Sequence, residues 1–214
     1  MNDVIFNNDK SAYDDWNIVL TGANVPLPVP KTATVDIKGA DGVLDLSEVL
    51  TGDVTYNNRV ITLNFDMLND SDYYTLISNI ANYLHGRNVT VRFTNDDDFY
   101  YIGRASINEW ECVKRIGKIV IQVDCDPYKY KVNETIVTVN LNNEVKGVTL
   151  HNLRKRVSPT LDVVGNVTMI FNGVEYQLNA GKQQLLNFVL TKDKTLVSFR
   201  GTGTVKITYR QGAL

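Results

Sequence analysis

The sequence predicts a mainly β protein in two domains, residues 1–132 and 133–214, with a single helix. Three observations carry this reading. Apolar residues recur at period two, or in short runs, along most of the chain. One stretch switches to helical spacing. Beyond Pro127 the runs become shorter and evenly spaced. At 214 residues and 43% hydrophobic content, the chain is long enough to bury two cores.

In the first domain, strand patterns cover residues 16–20, 33–37, 59–66, 89–94, 99–107 and 119–124. Between them Tyr73, Leu76, Ile77, Ile80, Ala81 and Leu84 fall at helical spacing, so a helix is expected over about 70–85. Asn69 to Ser71 are its N-cap candidates, Asp72 suits the first turn and Gly86 the stop. The alternate prolines of residues 26–30 predict a stiff extended loop, because proline fixes φ and removes a ladder donor. Gly39 and Gly42 mark a turn between strands. A hairpin turning at Gly117 would place Cys112 and Cys125 on one face, diagonally rather than opposite.

In the second domain eight short strands are expected, at residues 136–141, 147–151, 160–164, 167–171, 174–178, 185–191, 195–199 and 205–209. Asn172-Gly173 reads as a tight hairpin turn, and Gly201 to Gly203 as a glycine-punctuated turn. Eight strands in about 80 residues is the pattern of a small antiparallel sandwich or jelly roll.

Charge is divided unevenly. Residues 1–132 carry 19 acidic against 12 basic residues, and residues 133–214 carry 5 against 10, which together make the net −2. No stretch of eighteen apolar residues occurs, so no membrane helix is expected. Residues 1–10 have neither a basic nor an apolar signal region, and two cysteines make no disulfide framework. Free thiols in a protein made in a reducing cytoplasm are the expectation.

Chemistry is sparse. His85 and His151 fall in different domains, and neither cysteine has zinc-ligand spacing. Asn95 to Asp98 is acidic but lacks the ligand order of a calcium loop, which favours a solvated turn. Glu109 and Glu111 flank Trp110 about 7 Å apart on one strand face, a spacing a glycosidase could use, yet a polar outer face explains them as well. Arg154 to Arg156 is a basic run without interleaved aromatics. No catalytic, metal or cofactor site is expected, and no enzyme.

Five segments, in order along the chain, resemble the distal tail (Dit) family of long-tailed phages and prophages. They are Asp14-Asp-Trp-Asn-Ile-Val-Leu20 with the following proline loop, Ile37-Lys-Gly-Ala-Asp-Gly-Val-Leu-Asp-Leu-Ser-Glu48, Tyr56-Asn-Asn-Arg59 leading into a strand, Asp126-Pro-Tyr-Lys-Tyr130, and an ending with Tyr209, Arg210, Gly212 and Leu214. The resemblance implies a structural protein of the tail-tip baseplate. Its N-terminal domain would be β-sandwich-like, with the helix and an extended hairpin, and its C-terminal domain a galectin-like sandwich.

The resemblance further implies a homohexameric ring in the virion. One face would meet the tail-tube protein and the other the tail-associated hub or fibre protein, and DNA would pass through the lumen without specific binding. Six N-terminal domains would sum to about −42 in formal charge, which would repel DNA phosphates from the wall. The region of residues 99–124 is the expected ring interface, with Phe99, Tyr101, Ile107, Trp110, Ile119 and Ile121 as its candidates. Two other readings stand beside this one. A carbohydrate-binding module for host wall glycans would use Phe171, Tyr176 and Phe188, although about 80 residues leave little room for inserted binding loops. The equivalent ring of a contractile tail or a phage-tail-like bacteriocin is the nearer alternative.

Overall fold

Alternation and turn chemistry build each part of the chain in turn. The computed structural model describes residues 3–67, 73–113 and 116–214. The chain divides into two compact units, Met1–Lys129 with Leu214 and Tyr130–Ala213.

The first unit contains strands β1 (Val4–Phe6), β2 (Lys10–Ser11), β3 (Ile18–Asn24), β4 (Thr34–Asp36), β5 (Val43–Asp45) and β6 (Arg59–Met67). Helix α1 (Tyr73–Leu84), β7 (Asn88–Phe93), β8 (Phe99–Val113) and β9 (Ile116–Cys125) follow. Seven of the strands form one antiparallel sheet in the order β2-β1-β7-β8-β9-β6-β3. Strand β6 shows why: Arg59, Ile61, Leu63, Phe65 and Met67 point inward at period two, and its other residues face outward. Ala12 N donates to Val4 O and Ile18 N to Ala12 O, which joins the two ends of the sheet. Its core gathers Phe6, Trp16, Ile18, Ile61, Leu63, Phe65, Ile80, Leu84, Ile119 and Ile121.

Helix α1 lays Tyr73, Ile80 and Leu84 onto this core, with Leu76 and Ile77 beside them. It stops as expected at Gly86 (φ 76°), whose N–H turns away to Ala105 O. The N-cap candidates Asn69 to Ser71 and the first-turn Asp72 lie outside the described residues. Two expectations need correction. The first long strand begins at Ile18, because Asn17 adopts φ 53° and ends a turn that buries Trp16 against Phe6. Gly117 lies within β9 and not at the turn of the β8–β9 hairpin: it pairs with Cys112, while Cys125 pairs with Gly103. The two thiols are free and sit at opposite ends of the hairpin, Cys112 exposed and Cys125 buried.

In the second unit, β10 (Lys129–Lys131) leads into β11 (Thr135–Asn142), β12 (Lys146–Asn152), β13 (Thr160–Phe171), β14 (Val174–Leu178), β15 (Gly181–Gln184), β16 (Asp193–Tyr209) and β17 (Gly212–Ala213). Four of the expected strands are halves of two long ones. β16 pairs along its first half with β12 and along its second with β11, and it pairs with β13 from Ser198 to Thr208. β13 carries β15 beside its first half and β14 beside its second. Two four-stranded half-sheets therefore share β13 and β16, and their buried residues make one core around Phe188, Phe199, Leu161, Met169 and Ile207.

Glycines allow the change between the half-sheets. Gly203 opposes Gly165, and Gly201 opposes Val167, all three glycines at φ between 97° and 134°. A β-carbon on Gly165, Gly201 or Gly203 would strike the carbonyl oxygen of Thr202, Asn166 or Val164 respectively. The pair Gly201 and Gly203 thus keeps a strand running instead of turning it. Residues 185–191, expected as a strand, form a turn with one bridge between Val157 and Leu190, and Phe188 is pushed into the core. Asn172-Gly173 is the tight turn between β13 and β14, both residues at positive φ.

Candidate assembly surfaces

The six residues expected at a ring interface have different surroundings. Ile119 and Ile121 are 0% exposed and Tyr101 is buried, because α1 and the inner face of the sheet enclose that side of β8 and β9. Ile107 is half-buried against the same core. Phe99 is half-buried and covered by the Lys129 ammonium, 4.5 Å from its ring centre, while Lys129 also holds Asp96 at 2.6 Å. Trp110 alone of the six is half exposed, packed edge-on to Tyr74 and tilted against Tyr73. The apolar alternation that suggested an interface is core packing of the protomer for Tyr101, Ile119 and Ile121.

A run of exposed apolar side chains lies elsewhere. Between β3 and β6 the chain leaves the sheet as an arm. At its base Asn57 N donates to Val29 O, Lys31 N donates to Thr55 O, and Pro30 bridges to Tyr56. Beyond that base β4 and β5 pair as a two-stranded sheet, closed by Gly39 and Gly42 at positive φ. Ser47 steadies it, accepting from Ala33 N and donating to Asp45 from its hydroxyl and its backbone N–H, and the two bonds to Asp45 hold that carboxyl below its ordinary range. Every residue from 31 to 52 except Ser47 is exposed, including Val35, Ile37, Val43, Leu44, Leu46, Val49 and Leu50, the last at 97%. The sequence carried a signal for this. Apolar residues fill both parities of residues 35–50, so no face is reserved for solvent.

At the foot of the arm, Arg59 begins β6 only 4% exposed, with its guanidinium 4.9 Å over the Tyr101 ring. Its Nη1 donates weakly to Pro26 O at 3.4 Å, and its Nε and Nη2 have no acceptor among the described residues. Burial lowers its proton affinity.

Several of the polar groups singled out in the sequence have structural partners. His85 follows α1 and its Nδ1 accepts from Ile107 N at 3.1 Å, where β8 bulges before Glu109. His151 is exposed on β12 and its carbonyl accepts from Tyr209 Oη at 2.6 Å. Glu109 and Glu111 are exposed, Glu111 3.8 Å from Lys118. Lys155 of the basic run donates to Tyr130 Oη at 2.8 Å, and the backbones of Arg154 and Lys155 donate to Gly212 O. The ending acts as a clasp: Arg210 donates to Lys131 O and Val132 O and pairs with Glu134, while Gln211 Nε2 donates to Thr135 Oγ1. Phe171 and Phe188 stack edge to face at 5.0 Å inside the core and Tyr176 is half-buried against it, so the three do not form an exposed sugar platform.

Among the described residues no group of three or more His, Cys, Asp or Glu is placed to hold a metal ion, and no helix is long and apolar enough to cross a membrane.

Comparison with known proteins identifies the family. A search of curated proteins finds no significant match. Among solved structures, the crystal structure of Dit from phage SPP1, described as a paradigm of the hub adsorption apparatus in phages infecting Gram-positive bacteria, is similar at a TM-score of 0.66 and 15% identity. The similarity spans 98% of this chain and 99% of that one, so the two folds correspond in both units. The profile of the phage tail protein RIFT-related domain matches residues 18–140, more than half of the chain and including the arm. The protein belongs to this phage tail family and has the fold of Dit along its whole length.

Proposed function

We propose that the protein is a distal tail protein, a structural component of the phage tail tip. Six copies associate in a ring that joins the tail tube to the tail-associated hub or fibre protein, and DNA passes through the lumen. The observation that carries this reading is the correspondence of fold over the whole of both chains, joined to a family match that covers the arm. The exposed apolar arm supports it further, since a monomer in water has no use for seven uncovered aliphatic side chains on one hairpin. The first unit carries 19 acidic against 11 basic residues, which suits a wall that DNA slides past.

The test is light-scattering mass across protein and salt concentration, with negative-stain images of the same fractions. A species near six times 24.1 kDa, seen as rings with a central hole, is the expected result. Absence of this protein from the tail tips of purified particles, sought by labelled antibody, would overturn the assignment.

A further inference from the structure

The chain contains one asparagine followed directly by glycine, Asn172-Gly173. The two residues make up the loop between β13 and β14, since Phe171 pairs with Val174. Both take positive φ, 51° and 76°, the backbone signs of a type I′ turn. Both are exposed, and a β-carbon placed on Gly173 would meet nothing within 4 Å. Among the described residues nothing accepts from the Gly173 N–H, and the Asn172 side chain makes no hydrogen bond.

The other asparagines with left-handed backbone differ on these points. Asn7 Oδ1 accepts from Thr90 N while its Nδ2 donates to Tyr83 Oη, and Asn143 Oδ1 accepts from Thr202 Oγ1. Asn8 and Asn17 precede Asp9 and Ile18, so a side chain stands beside the next amide nitrogen.

We propose that Asn172 is a site of spontaneous deamidation in the folded protein. The Gly173 nitrogen, giving its proton to hydroxide, attacks Cγ of Asn172 and forms a new C–N bond. The bond from Cγ to Nδ2 breaks, and Nδ2 takes a proton from water and leaves as ammonia. Closing the ring requires Asn172 to rotate about its Cα–C bond, which the open space around Gly173 allows. The product is a five-membered imide, which water then opens. Opening at Cγ leaves an ordinary aspartyl residue. Opening at the main-chain carbonyl carbon routes the chain through Cβ and Cγ, an isoaspartyl link with one extra methylene. Water is consumed, ammonia is released, and nothing is oxidised or reduced.

The isoaspartyl product bears on the fold. A two-residue loop sets the register of the strands it joins, and an added methylene lengthens it. Among the described residues β14 pairs only with β13. A slipped β14 loses the pairs from Phe171 with Val174 to Val167 with Leu178, and it withdraws Leu178 from the core. It also loses Gln177, which accepts from Thr168 Oγ1 and donates to Asn166 Oδ1. The inference concerns this turn alone and stands apart from the tail-tip reading.

The full chain is incubated in warm, mildly alkaline buffer, folded and in parallel unfolded in urea, and digested at intervals for mass spectrometry. In the folded chain the peptide carrying residues 172–173 should gain one mass unit ahead of every other asparagine, at a rate that rises with hydroxide. It should appear as two isomers of equal mass, one of them a substrate for isoaspartyl methyltransferase. Asn172→Gly, which keeps a loop able to hold positive φ, should abolish the gain. The isoaspartyl form, separated by chromatography, should melt roughly 4–8 °C lower, the shift that a modest loss produces in a unit of this size. A folded chain that stays unmodified at position 172 overturns the proposal, and conversion in urea alone would show that the turn protects its asparagine. Conversion led by another asparagine overturns it too. An isoaspartyl form that melts with the parent would overturn the consequence drawn for β14.

Discussion

The ring of Tyr73 lies over the backbone of Gly117, in the space that a β-carbon at that position would occupy. The Tyr73 hydroxyl donates to Glu111 O at 2.9 Å, so one side chain fastens α1 to both strands of the β8–β9 hairpin. Gly117→Ala would bring a methyl to 2.6 Å from Tyr73 Cδ2 and 2.7 Å from Met67 Sδ. We expect a loss of about 1–3 kcal/mol in chemical denaturation of the first unit. A variant as stable as the parent would show that the helix simply lifts away.

Alkali should loosen the same unit. Burial pushes the Tyr73 hydroxyl up to about 12 from 10.0, and the Cys125 thiol up to about 12 from 9.0. Both groups keep their protons longer in the folded state, so their contribution is complete below pH 9 and is lost as pH rises from 9 through 12. The denaturant midpoint should fall across that window, and Tyr73→Phe with Cys125→Ala should flatten the fall. An unchanged slope in the double variant would count against this origin.

Arg59 makes a counterintuitive prediction. Among the described residues this buried guanidinium has two unpaired nitrogens and no ion-pair partner, and the Tyr101 ring lies against it. Arg59→Met should leave stability within about 1 kcal/mol of the parent, or raise it, because desolvation is relieved. Arg59→Ala should cost about 2–4 kcal/mol through the cavity it leaves. Equal losses in both variants would mean that the charge itself matters, pointing to an acceptor brought by another chain.

The glycine crossing in the second unit should be intolerant. Gly203→Ala meets both an unfavourable φ of 134° and the carbonyl of Val164, and should cost about 2–4 kcal/mol. Gly173→Ala, at φ 76° with open space around it, should cost only about 1 kcal/mol. Thermal melts of the two variants side by side separate backbone preference from collision.

Arg210→Lys tests the clasp. A single ammonium cannot reach the carbonyls of Lys131 and Val132 and the Glu134 carboxylate as the forked guanidinium does. A loss of about 1–3 kcal/mol from the second unit is expected, read by denaturant titration.

Much of this architecture was legible in the residues. Strand β6 announced itself by strict alternation, α1 by its stripe and Gly86, and the β13–β14 turn by Asn172-Gly173. Three things were not legible. Gly201 and Gly203 look the same in sequence whether they turn a chain or let two strands cross closely, since φ depends on the opposing Gly165. The alternation of Tyr101, Ile119 and Ile121 says that one face is apolar but not what covers it, and α1 does. The apolar residues of the arm fill both parities, which shows that no face is kept for solvent, but only their exposure shows that none of the described residues covers them.

The central place of β16 also sets an order of events on the ribosome. The core of the first unit draws on residues up to Cys125, so it can close while the rest is still being made. The second unit cannot: β11, β12 and β13 all pair with β16, which is complete only at Tyr209. Until then three strands with unpaired edges wait in solution, exposed to proteases and to each other. A nascent chain halted anywhere between these points would carry a finished first unit and an unfinished second.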